Sequence, residues 1–280
     1  MTLSGNINKM DATIKESVVH YSLPIGSSHL EMNALIGKNV KIAFGGEINC
    51  IHCGVLTEKS HRGGYCSGCS STLACADSCR TSPEKCHYDE GTCREPKWGE
   101  DNCLKPHMVY LSSTDKQKVG ITKHVSESVS SRWIDQGATS ALPIIITKNR
   151  ILSGLVECIF KGEIADKTNW RKMLTDTPND VTLIDRMNEL KSIAGDKIKA
   201  LQEIHGIDAI QWVDCKAIID IKYPSIDYPE KVKSINLEKT PEYTGKLIAI
   251  KGQYLLFADG AVINLRKYAG YNLELGSIDE

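Results

Sequence analysis

MVYLSSTDKQKVGIT, residues 108–122, reads as two short strands around a polar turn. Met108 to Leu111 is one strand and Lys118 to Thr122 the other, with SSTDKQ between them. Working downstream, the pattern predicts a helix near residues 126–135, a third strand over Leu142 to Ile146, and a helix from about Lys148 to Glu163. In that last helix Ile151, Leu152, Leu155, Ile159 and Phe160 recur at i, i+1, i+4, i+8 and i+9, which makes one buried stripe. Strands and helices interleaved over residues 108–174 form a small α/β module.

Upstream the character changes. Nine of the eleven cysteines fall between Cys50 and Cys103, and residues 50–107 carry almost no periodic apolar pattern. Such a segment cannot bury a core of its own, and metal ligands can replace one. Cys50-x2-Cys53-x12-Cys66-x2-Cys69 gives two thiolate pairs at zinc-knuckle spacing. Four thiolates close a tetrahedral zinc site and leave no open position for water, so the expected zinc is structural. The second group is less regular. A further zinc is expected from a set drawn from Cys79, Cys86, Cys93, Cys103 and His107, with Cys75 and His87 in reserve.

Both ends read as β. Val40, Ile42 and Phe44 alternate with Asn39, Lys41 and Ala43, and Gly45-Gly46 then signals a turn before Ile48. Near the C-terminus, strands are expected over 245–250, 253–258 and 261–265, joined by turns at Lys251-Gly252 and Asp259-Gly260. A helix begins near Thr182, which caps it with Asp185. Gly195 is a candidate break and Gly206 a candidate stop. The fold class is α+β. The β-rich N- and C-terminal segments pack together, with the cysteine-rich zinc segment and the α/β module between them. The expected boundaries are 1–49, 50–107, 108–174 and 175–280.

The chain has 280 residues, 25% charged, with a net charge of -1, so composition gives no general affinity for nucleic acid. A local cationic face from Lys116, Lys118, Lys123 and Arg132 could supply one. No stretch approaches the ~18 apolar residues of a membrane span. The start, MTLSGNINKMDATIKES, lacks the basic flank and apolar run of a secretion signal. The expectation is a cytoplasmic protein with reduced thiols and no membrane partner.

The order Met108-Val109-Tyr110, a gap of seven, Lys118-Val119-Gly120, then Arg132 on one helix and Glu157 on a later one resembles the GIY-YIG nuclease superfamily. The resemblance covers residues 108 to about 174. It implies a GIY-YIG-like module in which Tyr110, Lys118, Gly120, Arg132 and Glu157 are catalytic. It also implies Mg or Mn at Glu157 and DNA or RNA as substrate. The first motif reads MVY rather than GIY, Lys118 stands where the family has its second tyrosine, and no later Asn is matched. In the run Arg132-Trp-Ile-Asp-Gln-Gly-Ala138, Trp133 could stack on a base. Arg132, Gln136, Lys118 and Lys123 would be its polar companions, or Trp133 could be a buried packing device. The overall order of segments is also similar to an uncharacterised family of bacterial proteins, seen here as a zinc-binding one. The competing expectation is a non-catalytic scaffold, held by zinc, that binds a protein partner.

Overall fold

The computed structural model describes residues 2–123, 129–164, 169–175, 182–213 and 217–278. The N-terminal segment forms β1 (Thr2–Asn6), β2 (Asp11–Lys15), β3 (Val18–Ile25), β4 (Ser28–Glu31) and β5 (Asn39–Ile48). The cysteine-rich segment holds α1 (Ser67–Thr72) and α2 (Pro96–Asn102), with single 3-10 turns between them. Then come β6 (His107–Ser113), β7 (Gln117–Lys123), α3 (Ser131–Asp135), β8 (Ser140–Thr147), α4 (Arg150–Lys161), α5 (Trp170–Leu174) and α6 (Leu183–His205). Short strands β9 (Ile210–Trp212), β10 (Ile219–Asp220) and β11 (Lys233–Ser234) lead to β12 (Glu242–Lys251), β13 (Tyr254–Phe257), β14 (Ala261–Asn264) and β15 (Tyr271–Ser277).

The two ends of the chain make one sheet of seven strands, in the order β1-β15-β5-β12-β13-β14-β11. Alternation in the sequence accounts for it. Val40 and Ile42 are buried while Asn39 and Lys41 are not, so β5 presents a single apolar face. It lies between β15 and β12, with Ile42 opposite Leu275 and Tyr243. Gly45-Gly46 is not the turn expected there. β5 continues to Ile48, and the glycines form a bulge: Leu273 faces Phe44 while Tyr271 faces Ile48. Gly46 sits at φ +86°, a conformation that suits glycine.

The module from β6 onward is an antiparallel sheet, β10-β8-β6-β7, with β9 also on β8. All seven residues of β6 are buried, because both of its faces are covered. Val109 and Leu111 pack with Leu152, Val156 and Phe160 of α4 and with Leu190 of α6. Met108 and Tyr110 point the other way, into the core of the terminal sheet with Leu247, Phe257 and Leu273. The helix expected over 126–135 is short in its described part. Ser130 caps α3 by accepting from Arg132 N (3.3 Å), and residues 126–128 lie outside the described residues. Helix α6 starts as expected, with Thr182 Oγ1 accepting from Asp185 N (3.1 Å), and stops at Gly206. Gly195 does not break it. One mid-helix glycine costs about 1 kcal/mol against alanine. Five buried side chains, from Leu183 to Ile198, hold the helix in place.

A polar clasp ties α3 to the terminal sheet. Gln253 accepts from Met10 N (2.8 Å) and donates to Met10 O (3.0 Å) and to Asp135 Oδ1 (2.9 Å). Lys9 pairs with the other carboxylate oxygen of Asp135 at 2.9 Å. The cysteine-rich segment leans on α4 instead. Gly154 permits this, since a Cβ there would lie 2.6 Å from Glu84 N. No helix among the described residues is long and apolar enough to cross a membrane.

Candidate metal centre and cationic cleft

Cys50, at the end of β5, and Cys53 form one turn, and Cys66 and Cys69 form the other. One sulfur from each gives a group of four within 4.8 Å of one another. Local backbone builds both halves. Gly54 N donates to Cys50 O (2.9 Å), closing the first turn, with Gly54 at φ +73°. Cys66 caps α1, its Sγ accepting from Cys69 N at 3.4 Å, and Cys53 Sγ lies 3.9 Å from Cys66 Sγ. Burial opposes ionisation of Cys50, but backbone N–H groups of Cys53, Cys66 and His52 outweigh it and bring the thiol down to about 6. Asn49 N donates to Gly270 O (2.7 Å) beside the terminal sheet, and Ile51 N donates to Gly64 O (2.9 Å), which ties the first turn to the segment leading into the second. The four sulfurs could hold a zinc ion, and the described cysteines are free thiols.

The second cysteine group shares one pocket but is looser than the knuckle; the donor atoms there that lie within 4.8 Å of one another are those of Asp77, Cys79 and His87. Cys79, Cys86, Cys93 and Cys103 line one small pocket together with Asp77, His87 and Arg94. Burial pushes the Cys79 thiol up to about 11, and Asp77, Cys86 and Cys103 add to it. Burial likewise raises Cys86, with Cys103 and Cys93 adding to it. His107 does not join them. It is not among the residues lining that pocket; it opens β6 opposite Lys123 and Thr147, and its Nδ1 lies 2.8 Å from Lys105 O.

Burial, helped by the cations Arg150 and Lys123, holds His107 down at about 4 despite the Lys105 carbonyl. Folded His107 is then neutral while the unfolded chain takes up a proton below about pH 6.5. Stability from this group is complete above that value and is lost as pH falls through 4, a total of about 3 kcal/mol. Urea unfolding at pH 7 and pH 5 should show the wild type losing more stability than His107→Gln. Equal losses would contradict this placement.

The residues singled out around β6 separate into groups. Tyr110 pairs with Gly120 across the hairpin, and its ring covers that glycine, since a Cβ on Gly120 would lie 2.6 Å from the hydroxyl. Lys118 lies two residues from Gly120 on β7 and faces Ser112. Tyr110 is fully buried, and its hydroxyl donates to Gln136 Oε1 (2.8 Å). Burial raises its pKa to about 12, Arg132 opposes the rise, and Glu157 and Asp135 add to it. Tyr110 thus feels the charges of both Arg132 and Glu157. It is held protonated and away from solvent, bonded to Gln136. Glu157 is 9% exposed and pairs with Lys161 at 3.3 Å. Trp133 is 1% exposed and edge-on to Tyr110 at 5.6 Å, so it packs the core and is not available to stack on a base.

Two residues escaped the sequence reading. Arg80 follows Cys79 in the cysteine-rich segment, and Arg150 opens α4. Partial burial weakens Arg80's hold on its proton, and the cations Arg150 and Arg132 weaken it further, against Cys75 and Tyr65. Arg150 also donates to Arg80 O through its guanidinium and, through its backbone N, to Cys103 O (2.8 Å). The signal available was only the composition of residues 74–103, which set no partner for Arg80. Arg132 and Lys123 are exposed and Arg150 is half-buried; Arg80 feels the charges of Arg150 and Arg132, and His107 feels those of Arg150 and Lys123, so the four cations stand in one neighbourhood.

No curated protein and no solved structure matches this chain. One family does, over residues 37–273, a span that takes in the four-cysteine group, Arg80, Arg132 and Arg150, and most of the terminal sheet. On that match, the chain belongs to the family described as Protein of unknown function (DUF2797).

Proposed function

We propose that this protein binds nucleic acid through its phosphate backbone, at the cleft edged by Arg80, Lys123, Arg132 and Arg150, with the Cys50–Cys69 zinc knuckle as structural support. One observation carries the reading: Arg80, Arg132 and Arg150 come from three separate parts of the chain, and Arg80 feels the charge of the other two. Holding like charges together costs free energy that a bound anion returns. The net charge is only -1, so the grouping is local and not a by-product of a basic chain. Guanidinium forks match phosphate oxygens, and contacts of this kind set affinity without reading sequence.

Hydrolysis is a second reading, motivated by the order of Tyr110, Arg132 and Glu157 along the chain and by the charge that Arg132 and Glu157 exert at Tyr110. These stand on β6, α3 and α4, in the order of the GIY-YIG nuclease superfamily. Mg or Mn on Glu157 would supply charge neutralisation at the scissile phosphate, and one carboxylate plus phosphate oxygens is an ordinary donor set for Mg. Arg132 would stabilise negative charge on that phosphate, and Tyr110 would hold Gln136 and Arg132 in place. Lys161 would have to release Glu157. Lys118, in place of the family's second tyrosine, favours binding without turnover.

The test uses labelled single-stranded DNA, duplex DNA and RNA with the wild type and Glu157→Gln, in Mg2+ or Mn2+. Binding that weakens with salt is expected for both proteins. Absence of binding to all three nucleic acids overturns the proposal. Cleavage by the wild type that is lost in Glu157→Gln supports hydrolysis, and cleavage surviving in Glu157→Gln rules out the Glu157 mechanism.

A further inference from the structure

We propose that Cys79, Cys86, Cys93 and Cys103 hold a second zinc ion, separate from the knuckle. The argument starts from what the segment lacks. Residues 74–103 contain no Leu, Ile, Val, Met or Phe. Even so they fold into three 3-10 turns and α2, with Ala74, Ala76, Pro83 and Gly99 among the few buried positions outside the cysteines. Buried apolar area of that size cannot offset the entropy of ordering some thirty residues, at about 1–2 kcal/mol each. A structural metal can, because its binding free energy becomes folding free energy. The four cysteines line one pocket, more loosely than the four sulfurs of the knuckle; they are spaced x6, x6 and x9, from a 3-10 turn through to the end of α2, and all are free thiols.

A mixed donor set competes, since donor atoms of Asp77, Cys79 and His87 lie within 4.8 Å of one another. Asp77 is already engaged. Its Oδ1 accepts from Cys79 N (3.2 Å) and Ser78 Oγ (3.1 Å), and its Oδ2 pairs with Arg94 Nε at 2.5 Å. Arg94 therefore places a cation where a metal would need an anion. His87 Nδ1 lies 2.8 Å from Thr92 Oγ1, which orients the ring. Asp77, Arg94 and His87 form a polar clasp at the rim, and the thiols remain as the ligands. Soft sulfur donors in fours select zinc.

The position of this site gives it a further role, which rests on the cleft reading above. Cys79 precedes Arg80, Cys103 O accepts from the first residue of α4, and the turn at Pro83–Lys85 abuts Gly154. Zinc in the pocket fixes the elements that bring Arg80 to Arg132 and Arg150.

Native mass spectrometry of the full chain, purified under reducing conditions, should count two zinc ions. X-ray absorption at the zinc edge should show sulfur alone in the first shell, at about 2.3 Å. Neither measurement needs a variant. Cys86→Ser and Cys93→Ser should each fall to one zinc, while Asp77→Asn and His87→Ala keep two. One zinc in the wild type, nitrogen or oxygen donors in the first shell, or zinc loss in His87→Ala would each overturn the four-thiolate site. Two zinc ions with no nucleic-acid binding would leave this site standing and remove the cleft reading. One zinc with binding intact would do the reverse.

Discussion

Cys50→Ser should remove one zinc equivalent and cost about 4–5 kcal/mol of folding stability, the scale of loss expected for a structural metal. Cys50 is buried at the junction of the terminal sheet and the knuckle, so the damage is not confined to an exposed loop. Its neighbours Asn49 and Ile51 make backbone hydrogen bonds to Gly270 and Gly64, and these depend on the turn that the metal closes. Gly270 has no slack to offer, since a Cβ there would lie 2.3 Å from Asn49 O. Zinc content and the urea midpoint check the expectation. His52→Ala is the control: His52 sits in the same turn but outside the four-sulfur group, and it should keep both zinc and midpoint. A midpoint unchanged in Cys50→Ser would show that the knuckle contributes nothing to the fold.

Trp133→Ala should cost about 3–5 kcal/mol, as for other fully buried aromatics. The ring fills the junction between the two sheets, in the same core as Tyr110, Leu247 and Phe257. Trp133→Phe should cost far less. Among the described residues Trp133 Nε1 has no hydrogen-bond partner, so phenylalanine removes a buried orphan donor while leaving most of the packing. Chemical denaturation gives both numbers. Oligonucleotide affinity in Trp133→Phe separates packing from stacking. A base stacked on the indole is worth about 1–3 kcal/mol, so its loss would weaken binding roughly tenfold or more. The buried position requires affinity within about twofold of the wild type, well under 1 kcal/mol.

Local pattern made much of this fold legible. Alternation in Val40 to Phe44, the turns at Gly252 and Gly260, the Thr182 cap and the stripe on α4 each depend on a few neighbouring residues, and each is seen. The failures have a different origin. Gly45-Gly46 reads as a turn because glycine permits both a turn and a bulge, and only the facing strand, 227 residues away at Leu273, decides between them. The stripe on α4 left out Ser153, Gly154 and Glu157, which are also buried; at Gly154 the cover is Pro83 and Glu84, from a segment whose path no apolar period announces. Spacing brought out the knuckle, since two CxxC turns carry their own geometry. It could not exclude His107, whose place opposite Lys123 and Thr147 is set by strand pairing. Nor could it bring Arg80 to Arg132, because residues 74–103 carry no hydrophobic period that fixes their path.

The cleft is most directly tested by the salt dependence of binding. A labelled single-stranded oligonucleotide is titrated with wild type, Arg80→Ala and Arg132→Ala between about 50 and 200 mM salt, a range in which several phosphate contacts change affinity by orders of magnitude. The predicted result is a steep wild-type slope of log affinity against log salt, made shallower by roughly one in each variant. Slopes that stay the same in both variants, or a wild type that fails to bind at the lowest salt, would contradict a phosphate-binding cleft.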